Sequence, residues 1–196
     1  ERELSERELS EREFSSILRE NLELRPPLED PKDFRDIEKD VRVPGGSGSN
    51  WNRLHMIAAH PSRGTKQQLS QYIAAHPDYV TQLNKDLELP LHLAVRERKA
   101  DLASILIDHH RDGVLAADRF GEVPLHAAAR NGDVTLVKML LEAEPKAALC
   151  ENCRQKRPDR VALIDCKDRK ARDACITEIR AAQNAARATM NGGRSS

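Results

Sequence analysis

Three histidines, His55, His92 and His126, stand at intervals of 37 and 34 residues, and Cys150-Glu151-Asn152-Cys153 is followed by Cys166 and Cys175. Imidazole and thiolate are the usual ligands of zinc, and a Cys-x2-Cys knuckle opens many tetrahedral sites. A structural zinc site would need a second closely spaced pair, which the later cysteines do not supply. The four thiols therefore read as reduced structural residues of an intracellular protein, with neither metal nor disulfide. The histidines answer to a different pattern, since a near-constant period of this length marks stacked repeats. No glycine-rich phosphate loop, Ser/His/Asp set or acidic pair stands at catalytic spacing. The expectation is a protein that is not an enzyme, with no catalytic residues, no metal and no cofactor.

Composition narrows what could hold those residues. Of 196 residues, 39% are apolar, 33% charged and only 3% aromatic. The core must be made of Leu, Ile, Val and Ala, which suits layers of small helices better than a wide β-sandwich. The formal charge is zero, but residues 1–43 carry 14 acidic and 9 basic side chains against 18 and 23 in residues 44–196. The two parts thus differ in sign, and the zero total argues against a nucleic-acid binder. No apolar run approaches the roughly 20 residues of a bilayer span. No basic start precedes an apolar block. These features point to an intracellular, cytoplasmic protein with no membrane insertion.

The chain begins with Glu-Arg-Glu-Leu-Ser twice over and continues through Glu11-Arg12-Glu13-Phe14-Ser15. Phe14, Leu18 and Leu22, with Ile17 at the margin, share a face at helical spacing. Pro26-Pro27 stops this helix. Asp30, Pro31 and Asp33 form the start of another, in which Phe34, Ile37 and Val41 make one apolar edge before Pro44. Neither short helix can bury that edge alone. Residues 44–49 close with Gly45-Gly46-Ser47-Gly48-Ser49, a flexible linker. Its sharp edges resemble a man-made joint between residues 1–43 and the rest; a natural Gly/Ser loop is the alternative.

From residue 50 a repeating unit sets in. Its clearest copy has Asp118-Arg119-Phe120-Gly121 as a turn, Val123-Pro124-Leu125-His126-Ala127-Ala128 as a helix start, Asn131-Gly132 as a second turn and Val134–Leu141 as a second helix. Pro90-Leu91-His92-Leu93-Ala94 with Leu102, Ile105, Leu106 and Ile107 is a looser copy. Asn52-Arg53-Leu54-His55 opens a worn first unit, with Pro61-Ser62-Arg63 as an insertion. A fourth begins at Pro158, with Asp159-Arg160 in place of Leu-His. It ends in a long second helix from about Asp168 to Ala188. This pattern resembles the ankyrin repeat, a turn and two antiparallel helices opened by Thr-Pro-Leu-His-x-Ala. The resemblance implies an all-α solenoid of about four helix-turn-helix units over residues 50–188, with short N-terminal helices before it and a disordered tail at 189–196. It departs from the family at Val123, where the usual Thr would hydrogen-bond the helix start. It departs also at Leu87 and Arg98, where Gly is usual and where a positive backbone angle would be costly enough to reshape the turns.

The resemblance also implies a function: protein–protein interaction as an adaptor or scaffold. The histidines would then hold neighbouring units together. A partner would lie in the groove lined by the turn tips and the first helices, at Trp51, Lys85, Asp86, Glu88, Arg96, Glu97, Arg119, Phe120, Glu122, Arg130, Asn131, Arg154 and Lys156, with the outer helix face as the competing location. A helical, acidic and apolar segment fits that groove, and residues 1–43 supply one in cis, with Phe14, Ile17, Leu18, Leu22, Phe34, Ile37 and Val41 as anchors. The alternative is one structural protein whose N-terminal helices cap the repeats, with the linker replacing a loop.

Overall fold

The structure, a computed structural model, describes residues 51–59 and 66–192. The expectations for residues 1–43 (including Asp30, Phe14, Ile17, Leu18, Leu22, Phe34, Ile37 and Val41) and for the linker at 44–49 fall on residues outside these. So do those for Pro61-Ser62-Arg63 and for residues 193–196.

Every regular element among the described residues is helical. In chain order they are α1 (Arg53–Ala59), α2 (Lys66–Ala75), the single turn α3 (Asp78–Thr81), α4 (Pro90–Arg96) and α5 (Ala100–His109). There follow α6 (Pro124–Asn131), α7 (Val134–Ala143), α8 (Pro158–Asp165) and α9 (Arg169–Gly192). Short 3₁₀ turns, Arg111–Val114 and Pro145–Leu149, follow α5 and α7. The period of 34 residues is written in the helix starts. Pro90, Pro124 and Pro158 each occupy the first turn, where a missing N–H costs nothing and the ring pre-sets the helical φ.

The helices stack in two layers. The inner layer runs α1, α4, α6, α8 and the outer α2, α5, α7, α9, each helix packed on the next of its layer. The core between them is aliphatic, as the scarcity of aromatics requires. Leu54, Ile73, Leu93, Leu106, Leu125, Leu136, Leu140 and Ile179 are all fully buried, each contributing about 1.5–3 kcal/mol. No single unit buries these residues; each unit's core is completed by its neighbour.

Two details differ from what the sequence suggests. Leu87 and Arg98 do not reshape their turns. Both take φ 58°, in the same left-handed region as Gly121 (72°) and Gly132 (68°) one period on, and Gln155 joins them at 56°. The stack dictates the turn, and the side chain bears a strain of about 1 kcal/mol. The last helix also continues to Gly192, past the Ala188 at which its pattern fades.

Candidate functional site

The candidate site is the inner face, made of the turns that precede α4, α6 and α8 together with the exposed sides of those helices. Each turn is built on a short polar side chain that the frame repeats every 34 residues. Asn84, Asp118 and Asn152 each use their side-chain Oδ1 to accept two backbone N–H groups. The donors are Asp86 and Glu88 (2.8 and 2.9 Å), Phe120 and Glu122 (2.8 and 2.8 Å), and Arg154 and Lys156 (3.0 and 3.0 Å). Such an Asx turn fixes the backbone that points the tip outward. The three fingers are then laced together, the N–H of Arg119 donating to Asp86 O and that of Cys153 to Phe120 O, each at 2.9 Å. Gly121 is needed here, because a Cβ would come within 3.0 Å of the Cys153 nitrogen.

The histidines are scaffold. The backbone N–H groups of Leu89 and Val123 donate to Nδ1 of His92 and His126, both at 3.1 Å. That assigns the proton to Nε2, which donates to Ala116 O (3.1 Å), just before the third unit's turn, and to Lys156 O (3.0 Å) on the fourth unit's finger. His55 Nε2 lies 2.9 Å from Glu88 O in the same role. Val123 gives the helix no side-chain cap, and the His126 imidazole accepts the Val123 N–H instead. Burial lowers the pKa of all three imidazoles below 6.5, keeping them neutral.

Much of the polar groove foreseen from the sequence is committed within the protein. Glu88 is buried, held by Arg96 at 2.5 Å and by the Asn84 amide at 2.9 Å. Glu122 is half-buried, and Arg130 reaches its two oxygens at 2.7 and 2.8 Å while the Asn152 amide reaches one at 3.1 Å. Burial works to raise the Glu122 carboxyl, but the hydrogen bonds and charge of Arg130, with Asn152, hold it below the usual carboxylate value. Arg130 reaches Asp165 as well, at 3.5 Å. Asn131 donates to Arg96 O at 2.9 Å and its own carbonyl accepts from Arg98, so it stitches the second unit to the third. Trp51 is half-buried against the core with its ring tilted toward His55. The Asp86 carboxylate accepts from Arg119 at 2.6 Å.

What the inner face offers outward is different. Lys85, Glu97 and Arg154 are exposed and Lys156 is half-buried. Phe120 is 58% exposed at the tip of the third unit's finger, with the Arg119 guanidinium 5.1 Å from its ring centre. A rigid aromatic beside arginine has the composition of a binding hot spot. Two apolar residues were missed by the sequence reading: Leu163 (44% exposed) and Ile164 (58% exposed) on α8. The repeat itself could have found them. Ile164 falls one period after Arg130 and two after Arg96, and Lys156 falls where Glu88 and Glu122 stand.

No three His, Cys, Asp or Glu side chains gather into a metal site among the described residues. Cys150, Cys153, Cys166 and Cys175 are free thiols, and burial pushes Cys175 up to about 11, which leaves it unreactive. No described helix is long and apolar enough to cross a membrane.

A search of the curated proteins finds no match to the chain. Residues 54–151, half of the 196, match the family model for ankyrin repeats in three copies. That span holds the Pro-Leu-His starts of α4 and α6, the three histidines and the first two fingers, and the chain belongs to the ankyrin-repeat family.

Proposed function

We propose that this chain is an adaptor whose inner face binds a helical segment of acidic and apolar character, and that residues 1–43 are such a segment held in cis. Ankyrin repeats are protein-interaction modules in general, and the finer reading rests on one observation above others. Phe120 is a large apolar ring carried into solvent on a finger that Asp118, Gly121 and the neighbouring fingers hold rigid. An exposed aromatic on a preorganised support binds without first paying for its own ordering. The net negative charge of residues 1–43, 14 acidic against 9 basic, suits a face with Arg119, Arg154 and Lys156, chiefly by orienting the approach. Phe14, Leu18, Leu22, Phe34, Ile37 and Val41 would supply the apolar partners.

The test uses the whole chain with a protease site in place of residues 45–49. After cleavage, the two parts should still elute together, and Phe120→Ala should weaken their dissociation constant by about tenfold or more. Separation of the parts on cleavage, with no affinity by calorimetry, would refute the reading. A fall in melting temperature on removing residues 1–43, with no recoverable binding, would favour N-terminal helices that cap the repeats.

A further inference from the structure

The fourth unit breaks the pattern of the inner face in a particular way. In the second and third units the residue before the groove arginine, Val95 or Ala129, is fully buried by the next inner helix. The groove arginine, Arg96 or Arg130, is neutralised by a glutamate of its own finger. At α8 the corresponding residues are Leu163 and Ile164, both exposed, and the finger offers Lys156 instead of glutamate. Arg160 stands exposed one turn before them, where His92 and His126 bind the following unit. On a helix, residues three and four apart share a face, so Arg160 flanks Leu163 and Ile164 on one side. Lys167, exposed, follows on the other.

Two carboxylates also stand in the neighbourhood. Asp165 faces Arg130 at 3.5 Å. Asp168 accepts the N–H groups of Lys170 and Ala171 at 2.8 and 3.2 Å. The result is an aliphatic step with Arg160 and Lys167 at its two sides, at the place a further inner helix would occupy.

The geometry points to residues 14–24 as the occupant: Phe14, Leu18 and Leu22 seat on Leu163 and Ile164 as a substitute inner helix, with Glu20 and Glu23 toward Arg160 and Lys167. This rests on the reading that residues 1–43 bind the repeats, and names the end at which they anchor. The sequence gives those three apolar residues the i, i+4, i+8 spacing of one helical edge. The chain between the segment and Trp51 is long enough. Residues 25–50 span up to about 85 Å extended, whereas crossing four helices at 8–10 Å each takes only about 32–40 Å.

The experiment is photo-crosslinking in the intact chain with benzoylphenylalanine in place of Phe14, mapped by mass spectrometry. The expected adduct lies within residues 158–168, and Ile164→Asp, or independently Leu163→Asp, lowers its yield about tenfold with the circular dichroism unchanged. An adduct on the fingers at 84–88 or 118–122 instead, untouched by both substitutions, overturns this anchoring and leaves the binding of residues 1–43 standing. Adducts only between chains, rising with concentration, or none on residues 66–192, overturn both.

Discussion

The third and fourth units share one 34-residue frame and use it to opposite ends. In the third, Leu125 and His126 fill the positions that lock a unit to its neighbours. Leu125 enters the core, and His126 ties Val123 to Lys156 across the boundary. In the fourth the same two positions hold Asp159 and Arg160. Arg160 is exposed and locks nothing onward. Asp159 is buried, a charge that would be prohibitive alone, and the long α9 supplies its partners. Gln183 donates to Asp159 Oδ1 at 3.1 Å and to Ala148 O at 2.9 Å, while Arg157 and Arg180 lie 3.8 and 3.7 Å away. The last described unit thus has a polar residue at its core position and an outer helix more than twice as long as that of the third unit to satisfy it.

The sharpest way to break this contrast is His126→Ala set against Arg160→Ala. The first orphans a buried N–H and a buried carbonyl and opens a cavity, so urea denaturation should show a loss of about 3 kcal/mol or more. The second should cost no more than about 0.5 kcal/mol. Next in size is Gln183→Leu, which strips both Asp159 and Ala148 of their donor and should cost about 2 kcal/mol. Adding Asp159→Leu, which restores the residue type of Leu91 and Leu125, should recover most of that loss, because a hydrophobic pair replaces a broken polar one.

The histidines make the first three units sensitive to acid in a way the fourth is not. Their folded pKa values lie below the ordinary 6.5 because burial disfavours the cation. The unfolded chain therefore binds more protons as pH falls through 6.5, and stability drops from there toward the folded values. Urea midpoints should fall between pH 7 and pH 5, and less steeply in His126→Gln once its lower starting stability is allowed for. Lys99 runs the same way at higher pH. Burial holds its ammonium at about 8, although it donates to Ile57 O at 2.7 Å. Stability should rise from about pH 8 toward 10.5, and Lys99→Met should flatten that rise. The smallest effect expected is at the strained turn. Leu87→Gly should gain up to about 1 kcal/mol, whereas Gly121→Ala, at the same position one period on, should lose stability.

The frame itself was legible in the residues. Pro90, Pro124 and Pro158 mark the inner helices, His92 and His126 the junctions, and the divergent Asp159-Arg160 the end. What the frame could not give is which polar groups satisfy one another. Glu88 and Glu122 read as groove residues because their position is a groove position. They are spent on Arg96 and Arg130, eight residues away across a turn and a helix, and on Asn84 and Asn152, pairings that only the folded finger creates. Leu87 and Arg98 looked incompatible with their turns because local preference speaks for about 1 kcal/mol and the stacked core outweighs it. Leu163 and Ile164 were overlooked for the opposite reason. In a helix pattern an aliphatic residue reads as core, and these two are surface because no inner helix follows α8 among the described residues.

If the inner face recognises its partner through apolar groups while its paired charges serve the scaffold, Phe120 and Arg96 should differ sharply in binding. The direct measurement is the dissociation constant between the two parts of the linker-cleaved protein, by calorimetry, for Phe120→Ala and Arg96→Ala. The expected result is a loss of about tenfold or more for Phe120→Ala and little change for Arg96→Ala. A large loss for Arg96→Ala with Phe120→Ala unchanged would contradict it.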